Sequence, residues 1–234
     1  MSHPPGRIPD ARQSLGIKSL KKLPVDGPAL LAAAQSRPAP PAWPARPTRA
    51  QAEAAVRTLL AWAGENPDRE GLRETPQRVA EAYLEYFAGY TQDPVALLSE
   101  SLVDDVSGYD DIVMLKDIPV LSHCEHHIAP FMGRAVVAYI PGRRVTGLSR
   151  LARVVDALAR RLQTQEALTA EIAAAIEKGL QPRGVAVLIE AEHQCIAARG
   201  IRQQGMPAVT TRFTGTFTDQ PAMQDRFLRL AGRN

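Results

Sequence analysis

The chain changes character at Ile112-Val113-Met114-Leu115-Lys116-Asp117-Ile118-Pro119-Val120-Leu121, which leads directly into Ser122-His123-Cys124-Glu125-His126-His127. The two apolar runs have the length and composition of strands. The hexapeptide that follows brings together three imidazoles, a thiol and a carboxylate. This change predicts a sheet from residue 111 onward, with reactive side chains placed where its first strands end.

A second cluster, Glu192-His193-Gln194-Cys195, lies about seventy residues further along the chain. It follows Val185-Ala186-Val187-Leu188-Ile189, an apolar run typical of a buried strand. The two clusters together hold both cysteines and four of the five histidines. We therefore expect them to meet in space around one metal ion.

Zinc takes Cys thiolates and His nitrogens in tetrahedral geometry. Cys124 and His127 are three residues apart, so their side chains converge in a turn but diverge in an extended strand. Nearby prolines and polar groups favour the turn, and Cys195 would complete the set from an adjacent strand. Two Cys and one His leave a position for water, which is typical of a catalytic rather than a structural zinc site. The alternative is that both cysteines are buried thiols.

Three imidazoles remain if Cys124, His127 and Cys195 are ligands. His126 and His193 are candidates for general acid and base, because imidazole titrates near neutrality. For His123, a structural role as a supporting residue is a stronger alternative to acid–base catalysis than it is for the other two histidines. The His-x-Glu of zinc nucleobase deaminases is present at His123-Cys124-Glu125, but their Cys-x-x-Cys is absent from the sequence.

Segments with helical periodicity are found before the first predicted strands and between the later ones. The first helix is expected from Thr48 to Ala63, and the second begins at Thr75-Pro76 and is stopped by Gly89. The second helix is expected to bury Val79, Tyr83, Tyr86 and Phe87. Two longer helices are predicted at Ser149–Leu162 and Thr164–Leu180, with apolar faces made of Leu151, Val154, Val155, Leu158 and Leu162, and of Leu168, Ile172, Ile176 and Leu180. Further strands are predicted at Arg134–Ile140 and Thr210–Phe217, which together give an α+β fold with a largely antiparallel sheet.

The 234 residues are 45% hydrophobic, which suits one medium-sized domain with or without an appendage. No run approaches eighteen apolar residues, which predicts no membrane span. Met1-Ser2-His3-Pro4-Pro5 lacks the apolar segment of a secretory signal. Two cysteines without such a signal favour a reducing compartment, so we expect a cytoplasmic protein.

Residues 1–47 contain ten of the nineteen prolines, and in residues 1–50 eight Lys and Arg stand against two Asp. Such a segment buries too little apolar surface to offset its ordering entropy. We predict a disordered tail over 1–47 and a folded domain over 48–234, mostly helical over 48–110 and with its core over 111–218. The tail is either a basic arm for a partner or a dispensable extension. Because the basic charge is concentrated there, a nucleic-acid surface on the folded part is not indicated.

A hydroxyl and two guanidiniums stand at a predicted helix N-terminus, in Gly147-Leu148-Ser149-Arg150-Leu151-Ala152-Arg153. That end of a helix carries partial positive charge, so Arg there is unhelpful to the helix and suggests an anionic ligand. Arg199 adds a third cation, close after Cys195. Gln165 and Glu166 open the next helix, where a Glu suits the dipole; the alternative is a buried amide and carboxylate that recognise the edge of a purine.

These residues resemble the GTP cyclohydrolase I family. The resemblance covers about residues 50–218, in order, and does not extend to the tail. It rests on six stretches: Arg69-Glu70-Gly71-Leu72 through Thr75-Pro76-Gln77-Arg78-Val79, His123–His127, Gly147–Arg150, Arg161–Glu166, Glu192-His193-Gln194-Cys195 through Ala198-Arg199-Gly200, and Thr211–Gly215.

The resemblance implies a tunnelling fold, an antiparallel sheet with helices packed on one face, assembled as a homodecamer of two pentamers with active sites at subunit interfaces. It implies a hydrolase that converts GTP and water to 7,8-dihydroneopterin triphosphate and formate, the first step of tetrahydrofolate biosynthesis and part of one-carbon metabolism. Zn2+ would be held by Cys124, His127 and Cys195, and its water would attack guanine C8. His126 and His193 would move protons. Gln165 and Glu166 would bind guanine, and Ser149, Arg150, Arg153 and Arg199 the triphosphate.

Two positions depart from the family pattern. Arg150 stands where lysine is more common, which changes a compact point charge into a planar fork. Glu81 stands where many relatives carry a basic residue.

Two other functions are compatible with parts of the sequence. One is a nitrile reductase of the same superfamily, although such enzymes lack this two-cysteine zinc set. The other is a purine-nucleotide-binding regulator with structural zinc.

Overall fold

The computed structural model describes residues 46–99, 102–103 and 108–232. The disorder predicted for residues 1–47 falls outside this range, apart from its last two residues, and stays a prediction. The strands are β1 (Leu102–Val103), β2 (Val113–Cys124), β3 (Ala129–Ile140), β4 (Val145–Thr146), β5 (Leu162–Gln163), β6 (Gly184–His193) and β7 (Ala208–Phe213). The helices are α1 (Arg49–Trp62), α2 (Thr75–Tyr86), α3 (Pro94–Ser99), α4 (Leu148–Ala159), α5 (Gln165–Leu180), α6 (Gln194–Ala197), α7 (Thr216–Asp219) and α8 (Pro221–Leu230), with single 3-10 turns at Glu70–Leu72 and Ala88–Thr91.

Five strands form one sheet in the order β5-β2-β3-β6-β7, while β1 pairs with β4 separately. Neighbours in the large sheet are antiparallel except β5, which runs parallel to β2. Because β3 and β6 pair along their whole length, they place the end of β6 beside the end of β2, through Phe131 opposite His193 and Ala129 opposite Cys124. This arrangement confirms the predicted α+β class.

A bulge in β2 joins the two apolar runs into one strand. The register shifts between Leu115 and Ile118, which face Val137 and Ala135 of β3, so β2 carries one extra residue there. Asp117 adopts a left-handed φ of 55° within it. One extra residue moves every later side chain to the other face. Cys124 consequently points toward the face covered by α4 and α5, as Leu115 does before the bulge.

The main core lies between this face and the two long helices. Odd-numbered residues of β3 and β6 point into it, as strand alternation requires. Eight of the nine residues predicted for the two helix faces are buried in this core: Leu151, Val154, Val155, Leu158, Leu168, Ile172, Ile176 and Leu180. The ninth, Leu162, was wrongly placed on the first helix. That helix ends at Ala159, and Leu162 instead begins β5, because backbone pairing with His123 of β2 overrides helical periodicity.

The opposite face of the sheet is covered at one end by α7 and α8. Phe217 and Phe227 are fully buried there against even-numbered residues of β3 and β6. Arg226 donates two hydrogen bonds to Asp111, at 2.8 and 2.7 Å, and so fixes α8 to the start of β2. The predicted extension of the last strand to Phe217 is wrong. Strand β7 ends at Phe213 because Gly215 turns the chain with φ 50°, where a Cβ would lie 2.2 Å from the Arg183 carbonyl oxygen.

The N-terminal helices pack on the edge of the domain. Helix α1 starts with the predicted cap at Thr48, whose hydroxyl accepts from the Gln51 N–H in a capping box. Helix α2 starts one residue earlier than predicted, with Glu74 as its cap, so Thr75 is its first residue rather than its cap. The buried face predicted for α2 is partly wrong: Tyr83 and Tyr86 are exposed, and Val79 and Phe87 only half-buried, since α1 covers one side of the helix and the sheet meets only its end.

Gly89 lies between the N-terminal segment and α4. It is buried, its N–H donates to the Arg160 carbonyl oxygen, and a Cβ there would lie 1.9 Å from the Ala157 carbonyl oxygen. Arg161 returns hydrogen bonds to the carbonyl oxygens of Gly89 and Gln92. Among the described residues, no helix is both long and apolar enough to cross a membrane.

Candidate metal centre and active site

The first cluster ends β2 and enters a tight turn. The N–H groups of His127 and Ile128 donate to the Cys124 carbonyl oxygen, at 3.3 and 2.8 Å, and Ile128 takes a positive φ of 53°. The turn brings Cys124 Sγ within 4.0 Å of His127 Nδ1 and within 3.6 Å of His126 Nδ1. The prediction that residues 124 to 127 form a turn rather than a continued strand is confirmed.

Cys195 reaches the same place from the second cluster. Strand β6 ends at His193, and the short helix α6 carries Cys195 beside Cys124. One ligand atom each from Cys124, His127 and Cys195 lie within 4.8 Å of one another. His126 is closer than His127 to Cys124 alone, but the three-way convergence selects His127 as the third donor.

The donor set fits zinc. Two sulfurs and one imidazole nitrogen are the ligand types that zinc prefers, and three protein ligands are the number found in catalytic sites. Burial raises the pKa of the Cys195 thiol, and the neighbouring Cys124 raises it further. Without a cation, two adjacent thiolates repel each other and are costly to form. A divalent ion removes that cost, because a coordinating thiol is deprotonated outright.

His193 is held more firmly than any other histidine of the two clusters. Its ring stacks on Phe131 with the centroids 4.6 Å apart and the planes 8° from parallel. Its Nε2 lies 2.8 Å from Gln165 Oε1. Burial lowers the pKa of His193, and the Glu166 carboxylate opposes this. Burial is the larger of the two effects, so the surroundings of His193 favour its neutral form.

His126 and His123 have opposite environments. The His126 side chain is 64% exposed, and its Nε2 lies 4.0 Å from a Glu125 carboxylate oxygen. His123 is buried between the rings of Tyr86 and Phe87, with centroids at 4.8 and 5.3 Å, and burial lowers its pKa. The structure thus places His126 where it can meet a ligand and His123 in a supporting position.

Gln165 and Glu166 point in different directions at the start of α5. Gln165 is 2% exposed, and its amide nitrogen donates within the chain. Glu166 is exposed. The expectation that both side chains are buried is therefore wrong for the Glu166 carboxylate. Glu166 remains within electrostatic range of His193, so it borders the centre from the solvent side.

The predicted phosphate-binding residues fall into two places. Arg199 lies close enough to Cys195 for its charge to lower the pKa of that thiol slightly, against the larger effect of burial. Ser149 and Arg150 lie in the first turn of α4, which has no capping side chain and no acidic residue there, and Arg153 follows on the exposed surface. This is the helix N-terminus that the sequence predicted.

The two ends of α4 have different surroundings. The C-terminal part of α4 lies beside the end of β2, where Asp156, Arg160 and His123 line one cavity of about 30 Å³. Ser149 and Arg150 lie at the other end of this twelve-residue helix, which is about 18 Å long. Arg199 and Glu166 are close enough to the centre to act electrostatically on Cys195 and His193 respectively.

Sequence reasoning missed three residues that support His193. Phe131 follows Pro130 after the turn and stacks on the ring. Thr210 accepts a hydrogen bond from Gln165, and Thr169 contacts Thr210 in turn. Only the aromatic residue next to the cluster offered a signal in the sequence, because the two threonines are ordinary residues of a helix and a strand.

A model of the GTP cyclohydrolase I family matches residues 52–232. The GTP cyclohydrolase 1 of Brucella abortus (strain S19) is 59% identical over 185 residues, which cover 79% of this chain and 86% of the relative. That of Brucella suis biovar 1 (strain 1330) is 58% identical over the same length. Among solved structures, the archaeosine synthase QueF-Like in the apo form covers 44% of this chain and 93% of its own, with a TM-score of 0.36 and 17% identity, which is too distant to support an inference.

Proposed function

Because the chain belongs to the GTP cyclohydrolase I family, we propose that it is a zinc-dependent enzyme that converts GTP and water to 7,8-dihydroneopterin triphosphate and formate. This is the first step of tetrahydrofolate biosynthesis, within one-carbon metabolism, and we place it in the cytoplasm. The antiparallel sheet with its two long helices agrees with the tunnelling fold expected of the family.

The convergence of Cys124, His127 and Cys195 carries the metal part of this proposal. When bound there, zinc would supply a Lewis acid that lowers the pKa of water. The chain's own residues would align the substrate and move its protons. Two hydrolytic steps at C8 of guanine open the imidazole ring and then release C8 as formate, and one water is expelled when carbons of the ribose close the new ring, so the net change consumes one water per GTP.

His193 and His126 are the proposed proton carriers. His193 is favoured in its neutral form and fixed by stacking, so it is suited to take a proton from a group held in one orientation. The His126 side chain is 64% exposed, so it is suited to a proton that exchanges with solvent. Two carriers are needed because ring protonation and ribose opening occur at different atoms.

Substrate binding is assigned by charge and position. Glu166, exposed beside His193, would accept from the N–H groups of guanine. Arg199 would meet the phosphates near the centre. Ser149, Arg150 and Arg153 would hold the rest of the triphosphate at the N-terminus of α4, where the partial positive charge of the helix end favours an anion.

The relatedness to the GTP cyclohydrolase I family supports a site shared between subunits. We therefore propose a homodecamer of two pentamers, in which the N-terminus of α4 of one subunit completes the site of another. Co-expression of Cys195→Ser chains with Arg153→Ala chains should restore part of the activity that each lacks alone, and a mixture as inactive as its components contradicts a shared site.

The experiment that tests the function is incubation of the full chain with GTP, with and without a zinc chelator. We expect one formate per GTP, a pterin that fluoresces after oxidation, and loss of both products in chelator with recovery on adding zinc. GTP that is bound but not hydrolysed would favour a nucleotide-binding regulator instead. Turnover that resists complete metal removal contradicts the zinc assignment.

A further inference from the structure

The side chain of Gln165 is buried within a hydrogen-bond network that reaches His193. Its Nε2 lies 3.1 Å from the Ile189 carbonyl oxygen, 3.0 Å from the Ala208 carbonyl oxygen and 3.1 Å from Thr210 Oγ1. Carbonyl oxygens only accept hydrogen bonds, so the group facing them must be the amide NH2. The other amide atom, Oε1, is therefore the one that faces His193.

The two threonines give the network a direction. Thr169 Oγ1 lies 2.7 Å from the Gln165 carbonyl oxygen, which takes its single hydrogen. Thr169 Oγ1 also lies 2.7 Å from Thr210 Oγ1, so in that contact Thr210 must be the donor. The Thr210 oxygen is then left to accept from Gln165 Nε2. Each hydrogen bond in the circuit has one allowed direction.

The hydrogen bond between His193 and Gln165 has one allowed direction as well. Gln165 Oε1 carries no hydrogen, so the hydrogen on the 2.8 Å contact belongs to His193 Nε2. A neutral imidazole protonated at Nε2 has its lone pair on Nδ1. With the ring plane already set by Phe131, both the orientation and the tautomer of His193 are determined.

We infer that Gln165 is a positioning residue for His193, which fixes the Nε2–H tautomer and leaves the Nδ1 lone pair on the side of the ring away from Gln165, and that Gln165 does not recognise guanine through its side chain. The catalytic half of this inference rests on the proposed function; the tautomer does not. It divides the pair at the start of α5 into Glu166, which meets the substrate, and Gln165, which acts through His193.

The first test is a nitrogen-15 NMR spectrum of the full chain labelled at histidine, recorded at mildly alkaline pH, where imidazoles are neutral. The His193 signals are assigned by their absence in His193→Gln. We expect a hydrogen bonded to Nε2 and none on Nδ1. A hydrogen on Nδ1, or an average of two exchanging tautomers, overturns the inference. Because this result needs no turnover, it stands or falls separately from the proposed enzyme activity.

The second test compares Gln165→Met, which keeps the volume but removes the acceptor, with Gln165→Glu, which keeps an acceptor oxygen. We expect Gln165→Met to lower kcat for GTP by about 10- to 100-fold, as loss of an orienting partner does, with KM nearly unchanged and the tautomer signal lost. Both variants lose the NH2 that faces the Ile189 and Ala208 carbonyl oxygens, but Gln165→Glu keeps the oxygen that faces His193, so it should keep the tautomer and more of kcat than Gln165→Met. If Gln165→Met does not fold, the wild-type spectrum and Gln165→Glu decide the question.

Thr214→Val is the matched control, because it removes a buried hydrogen bond, to the Val185 N–H, elsewhere in the same domain. It should leave kcat, KM and the His193 signals as in the wild type. A higher KM with unchanged kcat in Gln165→Met would show that Gln165 reads the base and would overturn the inference. Equal kcat losses in Gln165→Met and Thr214→Val would do the same, because they would reflect general destabilisation.

Discussion

His126 and His193 are both histidines beside the same candidate metal centre, but their surroundings differ. His126 stands on a turn with 64% of its side chain exposed, whereas His193 is stacked on Phe131 and hydrogen-bonded to Gln165. The first half of the centre is held by a turn and the second by a strand and a helix. This difference indicates that the His126 side of the site can exchange protons with solvent, whereas the His193 side holds its imidazole in one orientation.

The largest effect on activity should come from removing a metal ligand from either half of the centre. Cys124→Ser and Cys195→Ser should each lose bound zinc and more than about 100-fold in activity, since even the loss of residues that orient metal ligands costs that much. Metal content and formate release measure the outcome. Ser122→Ala is the matched control in the first half, because Ser122 is buried near the cluster and its Oγ lies at a weak hydrogen-bonding distance, 3.5 Å, from the Arg161 carbonyl oxygen. Zinc retained by only one of the two variants would show that the halves are not equal partners.

Replacing each proton carrier sharpens the comparison. His126→Asn and His193→Asn should each lower kcat by about 10²- to 10⁴-fold, the usual contribution of general acid–base catalysis. Added imidazole should restore more of the activity of His126→Asn, whose side chain is exposed, than of His193→Asn, whose side chain is half-buried, stacked on Phe131 and hydrogen-bonded to Gln165. Equal rescue of both variants would contradict the difference in burial.

The same two variants should differ in stability. His193→Asn removes the donor to the buried Gln165 Oε1, and an unsatisfied buried acceptor costs about 1–3 kcal/mol. His126→Asn changes an exposed side chain and should stay within about 0.5 kcal/mol of the wild type. Urea unfolding of the metal-free proteins measures both values, and an equally destabilised His126→Asn would break the comparison.

The first half depends on a bulge that the second half does not need. Asp117 holds φ 55° there, where a β-branched side chain is strained. Asp117→Val should therefore destabilise the protein by about 1–2 kcal/mol, while Asp117→Gly should not. Urea midpoints test this prediction, and unchanged stability in Asp117→Val would show that the bulge carries no strain.

The smallest effect concerns the triphosphate. Arg150 is half-buried in the first turn of α4, where a cation helps an anionic ligand but not the helix. Arg150→Lys keeps the charge and should change KM for GTP by about two- to five-fold, which corresponds to about 0.5–1 kcal/mol. Arg150→Glu is the contrasting variant and should raise KM much further. Equal KM values in the two variants would show that Arg150 does not contribute to GTP binding.

Local signals were enough to predict much of the fold. Thr48 caps its helix as predicted, because capping needs only one side chain and the next turn of backbone, and the helix predicted to begin at Thr164 begins at Gln165 with Thr164 as its cap. The apolar faces of α4 and α5 are buried as predicted, because period and hydrophobicity decide which side of a helix is covered. Leu162 departs from that pattern, since its backbone pairs with a strand forty residues earlier.

The exposure of the two α2 tyrosines is a second feature that helical periodicity did not predict. Tyr83 and Tyr86 have helical spacing typical of a buried face, but within one chain no further layer covers them among the described residues. Glu166 likewise was expected inside and lies outside, because its direction follows from the angle at which α5 leaves Thr164. Such directions depend on packing between elements that are distant in sequence.

By itself, the sequence determined the chemistry of this protein: the donor types of Cys124, His127 and Cys195, the histidines beside them, the helix N-terminus with its arginines, and the family to which these residues point. Only the tertiary structure decided how they act together. The bulge at Asp117 turns Cys124 toward Cys195, and the circuit through Thr169 and Thr210 directs Gln165 toward His193. Residue types are local properties of the chain, whereas the face, direction and tautomer of a side chain depend on partners that only folding brings near.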